Sequence, residues 1–305
     1  MSTDPTYPLF PVFAFIGMVL VLLPLPWHLR AWNAGTCYFM LWASLACLNQ
    51  FVNSIVWAGN VFNPAPWWCE ISIRVIFGVS VGIPASSFCI VRRLYHISRT
   101  RTVAISPAEK RRSIIIDSAI CVVLPLAYIA LQYVVQGHRY NIFEDVGCEP
   151  AVVNTLATYF ISYAAPLAFG LSSAVYCALS LQAFNARRIQ FRQFAAAAPC
   201  RATGFGFSQY VRLMALAMTE MACTTPLNIF IVVLNATATG GLSPYVSWAN
   251  IHWGYSHVEL YPAILWRADH RVAVGVELTR WLAPVCALIF FAYFGFTSEA
   301  RRNYK

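Results

Sequence analysis

Seven stretches of about twenty largely apolar residues recur along this chain, near residues 7–27, 35–57, 68–91, 114–135, 156–180, 210–234 and 276–296. Each is long enough, at about 1.5 Å per residue, to cross roughly 30 Å of hydrocarbon as a helix. Hydrocarbon offers the backbone no water, so its amides and carbonyls must pair within the segment, as they do in an α-helix. The pattern predicts an all-α fold: one seven-transmembrane helix bundle over residues 1–305. A mean hydropathy of +0.59 with 11% charged residues excludes an ordinary soluble domain.

Charge placement sets the predicted orientation. Of the 21 Lys and Arg, sixteen fall after the first span, between spans 3 and 4, between spans 5 and 6, and after span 7. The opposite connections hold four, Arg139, Arg267, Arg271 and Arg280, and Arg74 lies within span 3. The positive-inside rule makes the sixteen-charge side cytoplasmic, which puts Met1 outside and Lys305 inside. Residues 297–305 are then a short cytoplasmic tail, and no cleavable signal peptide is expected, because no Lys or Arg precedes the first span. The net charge of +9 is spread over segments flanking the spans, so it reads as topology and attraction to membrane lipids, with no nucleic-acid partner.

Ten cysteines do not make a disulfide framework here, because seven lie inside spans and Cys200 is expected in the cytoplasm. Cys69 and Cys148 alone are both predicted on the oxidising side. They either bridge, tying down the second outer loop, or remain two thiols near an interface. Asn235-Ala236-Thr237 is a glycosylation candidate just outside span 6.

Polar residues inside spans are costly unless they find a partner or a wet cavity. Glu70 and Arg74 are spaced for a helical ion pair that either lines a ligand entrance or satisfies itself. Asn49 and Asn53 share one face of span 2 and read as glue between helices. Glu220, followed by Pro226 and Asn228, marks span 6 as a candidate switch, while Pro125, Pro166, Pro226 and Pro284 place breaks in spans 4 to 7.

Enzymatic signals are missing. There is no His-Glu-x-x-His string, and Gly254-Tyr255-Ser256-His257-Val258 breaks the nucleophile-elbow pattern at its last position. His252 and His257, five apart, share no helical face and have no third ligand, so neither a metal nor any other cofactor is expected. Retinal needs a buried lysine, and the chain's two lysines, Lys110 and Lys305, are both predicted cytoplasmic. A transporter would show related halves, and no internal repeat is evident. A multi-span lipid or peptide transporter remains the alternative reading, together with a membrane protein that only assembles partners.

Ordered strings along nearly the whole chain carry a resemblance. They run from Pro24-Leu25-Pro26-Trp27-His28-Leu29-Arg30 with Asn33, through Trp57-x-x-Asn60 and Pro66-Trp67-Trp68-Cys69-Glu70-Ile71, to Gly82-x-Pro84-Ala85 and Arg92-Arg93-Leu94-Tyr95. Glu144-Asp145-x-Gly147-Cys148-x-Pro150 follows, then Phe290-Phe291, Phe294-Gly295-Phe296 and Glu299-Ala300-Arg301. Together they resemble the fungal class D G-protein-coupled mating receptors that respond to prenylated, a-factor-type peptides. The resemblance implies a non-enzymatic, multi-pass receptor of the plasma membrane that binds a farnesylated peptide pheromone and activates a heterotrimeric G protein; a homodimer is left open.

On that reading Trp57, Trp67, Glu70, Arg74, Trp248, His252 and Trp253 are candidates for the ligand site. The long outer loop 235–275, polar yet aromatic-rich, is expected to form a partly helical flap at the membrane surface. Arg92, Arg93, Arg187, Arg188, Arg192 and Arg212 are candidates for G-protein contact. The Asp/Glu-Arg-Tyr triplet and Asn-Pro-x-x-Tyr string of rhodopsin-like receptors are absent.

Overall fold

The computed structural model describes residues 4–99, 107–197, 207–237 and 241–296, with the backbone alone at residues 99, 184–197 and 207–209. Seven helices are long and apolar enough to cross a membrane: α1 Leu9–Arg30, α2 Ala34–Val56, α3 Pro66–Arg99, α4 Pro107–Gln132, α5 from Leu156 to Ala197, α6 Phe207–Ala236 and α7 His270–Phe294. Each overlaps one of the seven apolar stretches read from sequence, and these run past the helix ends by up to three residues. Helix α3 packs on α2, α4, α5 and α6, and α7 packs on α1, α2 and α6. The largest buried cluster lies between these helices and includes Phe39, Met40, Leu94, Leu213, Leu216 and Phe290.

Proline has no N–H, so it strands the carbonyl four residues before it. Pro125 would strand the Cys121 carbonyl and Pro166 that of Ser162. Ahead of each proline the helix loosens to π geometry, at Ala119–Val123 and Tyr159–Tyr163. Neighbouring spans then supply donors. Trp42 Nε1 of α2 donates to the Cys121 carbonyl at 2.9 Å, and the Tyr128 hydroxyl of α4 donates to the Ser162 carbonyl at 2.5 Å. Trp42 reaches across α3 through a slot cut by two small residues: a Cβ at Gly82 would sit 2.5 Å from its ring, and one at Gly78 would sit 2.8 Å away. Further links between spans are Asn53, which bonds Ser72 and Trp68 of α3, and Tyr38 of α2, which bonds Ser118 of α4.

One end of the bundle carries a three-stranded sheet that the all-α expectation did not include. Strand β1, Tyr140–Phe143, pairs antiparallel with β2, Gly147–Glu149, and parallel with β3, Val258–Tyr261. We call this the outer end. Between β1 and β2 the chain turns through Asp145 at φ 67° and Gly147 at φ 99°, where a Cβ would meet Asn53 at 2.6 Å. Residues 241–275 are therefore folded onto the sheet through β3. Around that strand it forms two single-turn helices, Trp248–Ile251 and Ala263–Trp266. The tail 297–305 and Cys200 lie outside the described residues.

Replacing Trp42 by Phe removes one hydrogen bond and should cost about 1 kcal/mol. Gly82→Ala forces the ring off its carbonyl and overpacks the slot, for a cost of about 1–3 kcal/mol. Thermal unfolding in detergent should rank wild type above Trp42→Phe and Trp42→Phe above Gly82→Ala.

Candidate functional site

The outer cap is built on a covalent tie. Cys69, at the start of α3, is disulfide-bonded to Cys148 on β2, with 5.3 Å between their Cα atoms and a separation of 79 positions in sequence. Closing so long a loop restricts the unfolded chain by a few kcal/mol. Around the bridge Trp57, Ile73, Tyr140 and Ile142 form a buried cluster. Trp57 is fully buried and its Nε1 donates to the Phe62 carbonyl, so this ligand candidate is a packing residue of the cap.

Asp145, at the β1–β2 turn, joins three connections. Its amide donates to the Trp57 carbonyl, its Oδ1 accepts from Gly59 N at 2.8 Å, and its Oδ2 lies 3.4 Å from Arg267 in the loop before α7. The first, second and third outer loops thus meet on one buried carboxylate.

Beside the sheet lies a half-exposed polar cluster. Glu70 and Arg74 are only loosely paired, at 4.0 Å. Glu70 instead accepts from Arg139 Nε at 2.8 Å, and Arg74 donates to Gln136 Oε1 at 2.8 Å. The sequence spacing left a ligand entrance and a self-satisfied helical pair both open; the second outer loop supplies closer partners to both members. Tyr255 faces Arg74, and burial raises its phenol above the usual range.

Trp248 and His252 stack with ring centroids 4.1 Å apart, and both pack on Tyr133 at the end of α4. Trp67 and Trp253 are largely exposed, at 69% and 88%. An open apolar groove at the start of α5 is lined by Leu156, Phe160, Leu242 and Tyr245, and Tyr245 stands three residues before Trp248 in sequence. Of the seven ligand candidates, Glu70, Arg74, Trp248 and His252 converge around Tyr133 and Tyr255. Among the described residues, Trp67 and Trp253 have no ring or hydrogen-bond link to that group.

Asn235 sits in the last turn of α6 with Nδ2 donating to the Ile231 carbonyl at 2.8 Å and to the Tyr163 hydroxyl at 3.2 Å. The amide that a glycan would modify is turned onto the protein.

At the inner end Arg92 is bound to Asp117 of α4 at 2.6 Å, and Asp117 is buried. Arg93 donates to the Trp32 carbonyl at 2.7 Å, and Lys110 lies 5.1 Å from the Trp32 ring centre. Arg212 is half-buried on α6. Arg187, Arg188 and Arg192 continue α5 beyond the apolar stretch, and their side chains lie outside the described residues.

Glu220 is buried and accepts from Thr224 Oγ1 at 3.0 Å. It borders a small cavity with Phe39, Thr219, Cys223, Cys286 and Ile289, at the meeting of α2, α6 and α7. Pro226 lies on the exposed face of α6, and Asn228 is half-buried further out. Among the described residues no three His, Cys, Asp or Glu side chains form a group that could hold a metal.

The ion pairs Arg92–Asp117 and Asp4–Arg280 escaped the sequence reading, and the second is buried at both members. Arg280, counted there with the outer loops, is 2% exposed inside α7. Its Nη2 lies 2.6 Å from Asp4 Oδ2, and its guanidinium lies 3.8 Å from the Phe10 ring centre. Thr6 fills the other oxygen of Asp4 with its backbone N–H and its hydroxyl, both at 2.7 Å. Asp117 was legible as an acid in an apolar run, by the reasoning that singled out Glu220. No local signal connects Asp4 to a residue 276 positions away.

The pheromone A receptor (STE3) family matches residues 9–305. The chain is 61% identical over 301 residues to the pheromone B alpha 3 receptor of Schizophyllum commune, covering 99% of this chain and 47% of that protein. It is 37% identical to pheromone receptor 1 of Mycosarcoma maydis, covering 97% and 82%, and 23% identical to the pheromone M-factor receptor of Schizosaccharomyces pombe, covering 92% and 73%. The chain spans about half the length of the Schizophyllum relatives it matches.

The Asp4–Arg280 pair generates a stability test. Arg280→Ala leaves a buried carboxylate uncompensated and should cost about 3–5 kcal/mol, lowering the yield of folded protein. Arg280→Asp should be worse, and the Asp4→Arg, Arg280→Asp double exchange should recover part of the loss. Surface expression and detergent thermal unfolding read all three.

Proposed function

We infer the function from one premise: the chain belongs to the pheromone A receptor (STE3) family. We propose that it is a multi-pass plasma-membrane receptor, without enzymatic activity of its own, for a farnesylated mating peptide. The family match from residue 9 to residue 305, over all seven helices, is the observation that carries this reading.

In this proposal the sheet-bearing end faces outward and the charge-rich end faces the cytoplasm, as the excess of basic residues at the charge-rich end favours. The peptide lies against the half-exposed group of Glu70, Arg74, Arg139, Trp248 and Tyr255, where charged and aromatic side chains are held by the cap. Its prenyl chain enters from the bilayer along the apolar groove at Leu156, Phe160 and Leu242. Half-exposed side chains on a rigid, disulfide-tied base suit a peptide better than a small solute, since they recognise without closing over it.

A heterotrimeric G protein is the proposed cytoplasmic partner. A ligand shifts a two-state bundle only if it binds one state better than the other. The inner ends of α3 and α4 are held together by Arg92 and Asp117, and α6 carries Glu220 and Pro226 between the two faces. We assign activation to a rearrangement of α6 that frees the Arg92 region for the G protein.

The test is nucleotide exchange on a co-expressed fungal Gα in membranes carrying this chain, with farnesylated and unfarnesylated mating peptides. Exchange that requires the farnesyl group is expected. Asp117→Asn should raise ligand-free exchange by about threefold to tenfold at matched surface expression. Flux of a peptide or lipid without exchange would overturn the receptor reading.

A further inference from the structure

The three-stranded sheet has two unlike faces. One carries Tyr140, Ile142 and Cys148 and packs into the buried cluster with Trp57 and Ile73. Side chains alternate along a strand, and residues paired across a ladder share a face, so the register sets the composition of the other. Glu149 of β2 stands opposite Asn141 of β1, and Asn141 stands beside Glu259 of β3. Two residues further along β1, Phe143 has Gly147 on one side and Tyr261 on the other. Glu149, Asn141, Glu259, Phe143 and Tyr261 are each partly exposed, and Gly147 adds no side chain to cover them.

Within this face Glu149 is the member without a partner. The Tyr261 hydroxyl donates to Glu259 Oε2, and His138 Nε2 lies 2.6 Å from Asn141 Oδ1. Among the described residues the Glu149 side chain makes no hydrogen bond and no ion pair. Burial alone pushes its carboxyl up to about 7, and no basic group stands close enough to oppose that. Partial exposure combined with so large a loss of hydration describes a recess, in which water reaches the group from one side and protein surrounds it on the others. An ionised carboxylate left unpaired there is costly to the folded chain.

The rest of the face suits a long cation. Phe143 and Tyr261 stack with ring centroids 4.7 Å apart and planes 16° from parallel. At about 3.3 Å per residue this pair lies roughly 7 Å along the sheet from the row that holds Glu149. A Lys or Arg side chain spans that distance, with its aliphatic stem on the rings and its charged head at the carboxylate. The face also continues from the group assigned above to the peptide, because Arg139 directly precedes β1 and Tyr255 stands three residues before β3.

We propose that the exposed face of the sheet is a subsite for a basic side chain of the peptide ligand, with Glu149 as its counter-ion and Phe143 and Tyr261 as the wall along its stem. Glu149 is then a specificity residue. The identity of the occupant rests on the receptor reading above; the ability of the recess to hold a guanidinium or ammonium group does not. A neutral side chain in the same place leaves the carboxylate unpaired, so the subsite discriminates against it.

A ligand-independent measurement tests the recess. The full chain in detergent is treated with a carbodiimide and glycinamide, and coupling at Glu149 is followed by mass spectrometry. N-acetylarginine amide in excess should protect Glu149, and N-acetylcitrulline amide, its neutral counterpart, should not. Equal protection by both, or by neither, would overturn the subsite. The second readout is nucleotide exchange on the co-expressed Gα, driven by a farnesylated peptide that elicits it and by analogues in which each Lys or Arg is replaced by Gln. One such replacement should raise the half-maximal concentration about tenfold on the wild type and leave it nearly unchanged on Glu149→Gln. Glu149→Gln should unfold at the wild-type temperature or above, since it removes an unpaired carboxylate, whereas a structural role would lower that temperature. Equal losses in both receptors, an active peptide without Lys or Arg, or a loss seen only on acetylating the peptide's amino terminus would contradict the proposal. If no peptide elicits exchange, the protection result still decides the recess, and the receptor reading is what fails.

Discussion

A carbonyl stranded in hydrocarbon must find a donor, and this bundle is organised around that demand. Pro125 and Pro166 each free one carbonyl, and Trp42 and Tyr128 fill them from the neighbouring helix. The donors link α2 to α4 and α4 to α5. Gly78 and Gly82 of α3 are small because the Trp42 ring passes over them. Two prolines, two aromatic donors and two glycines therefore fix the relative positions of four of the seven helices.

Above this base the outer connections are held by a second economy, in which few groups serve many segments. One disulfide binds β2 to α3, and one carboxylate, Asp145, joins the three outer loops. Asp4 and Arg280 fasten the N-terminal segment to α7. What these leave half-exposed is a mixed patch of charge and aromatic surface, and that patch is what a peptide would meet. The inner end repeats the theme with Arg92 and Asp117. Buried charge pairs at both ends suit a bundle that must hold one arrangement and be released into another, because losing one partner of such a pair is costly.

Much of this was legible in the sequence because hydropathy period and length are strong local signals. All seven helices overlap the predicted spans, and Cys69 and Cys148 could be singled out as the one pair predicted on the outer side. The sheet was not legible. Its strands are three or four residues long, and β3 pairs with a strand more than a hundred positions earlier, with no alternation long enough to register. Arg139 outcompetes Arg74 for Glu70 because the second outer loop folds back over α3, and helical spacing cannot foresee that. Arg280 looked like a loop charge until its partner at Asp4 was placed. His252 could be noticed as an aromatic-rich loop histidine, but its two carbonyl partners come from separate elements.

The central claim is that ligand meets this protein at the sheet-bearing end and enters beside α5. Photo-crosslinking measures that directly, using a farnesylated mating peptide with a diazirine on the prenyl chain and a second probe on the peptide. Membranes carrying the unmodified receptor would be irradiated and the labelled residues mapped. The account predicts prenyl label at Leu156, Phe160 and residues 242–245, and peptide label near Glu70, Tyr133 and residues 248–257, both suppressed by excess unlabelled peptide. Competable label confined to the Arg92 end of the bundle would contradict it.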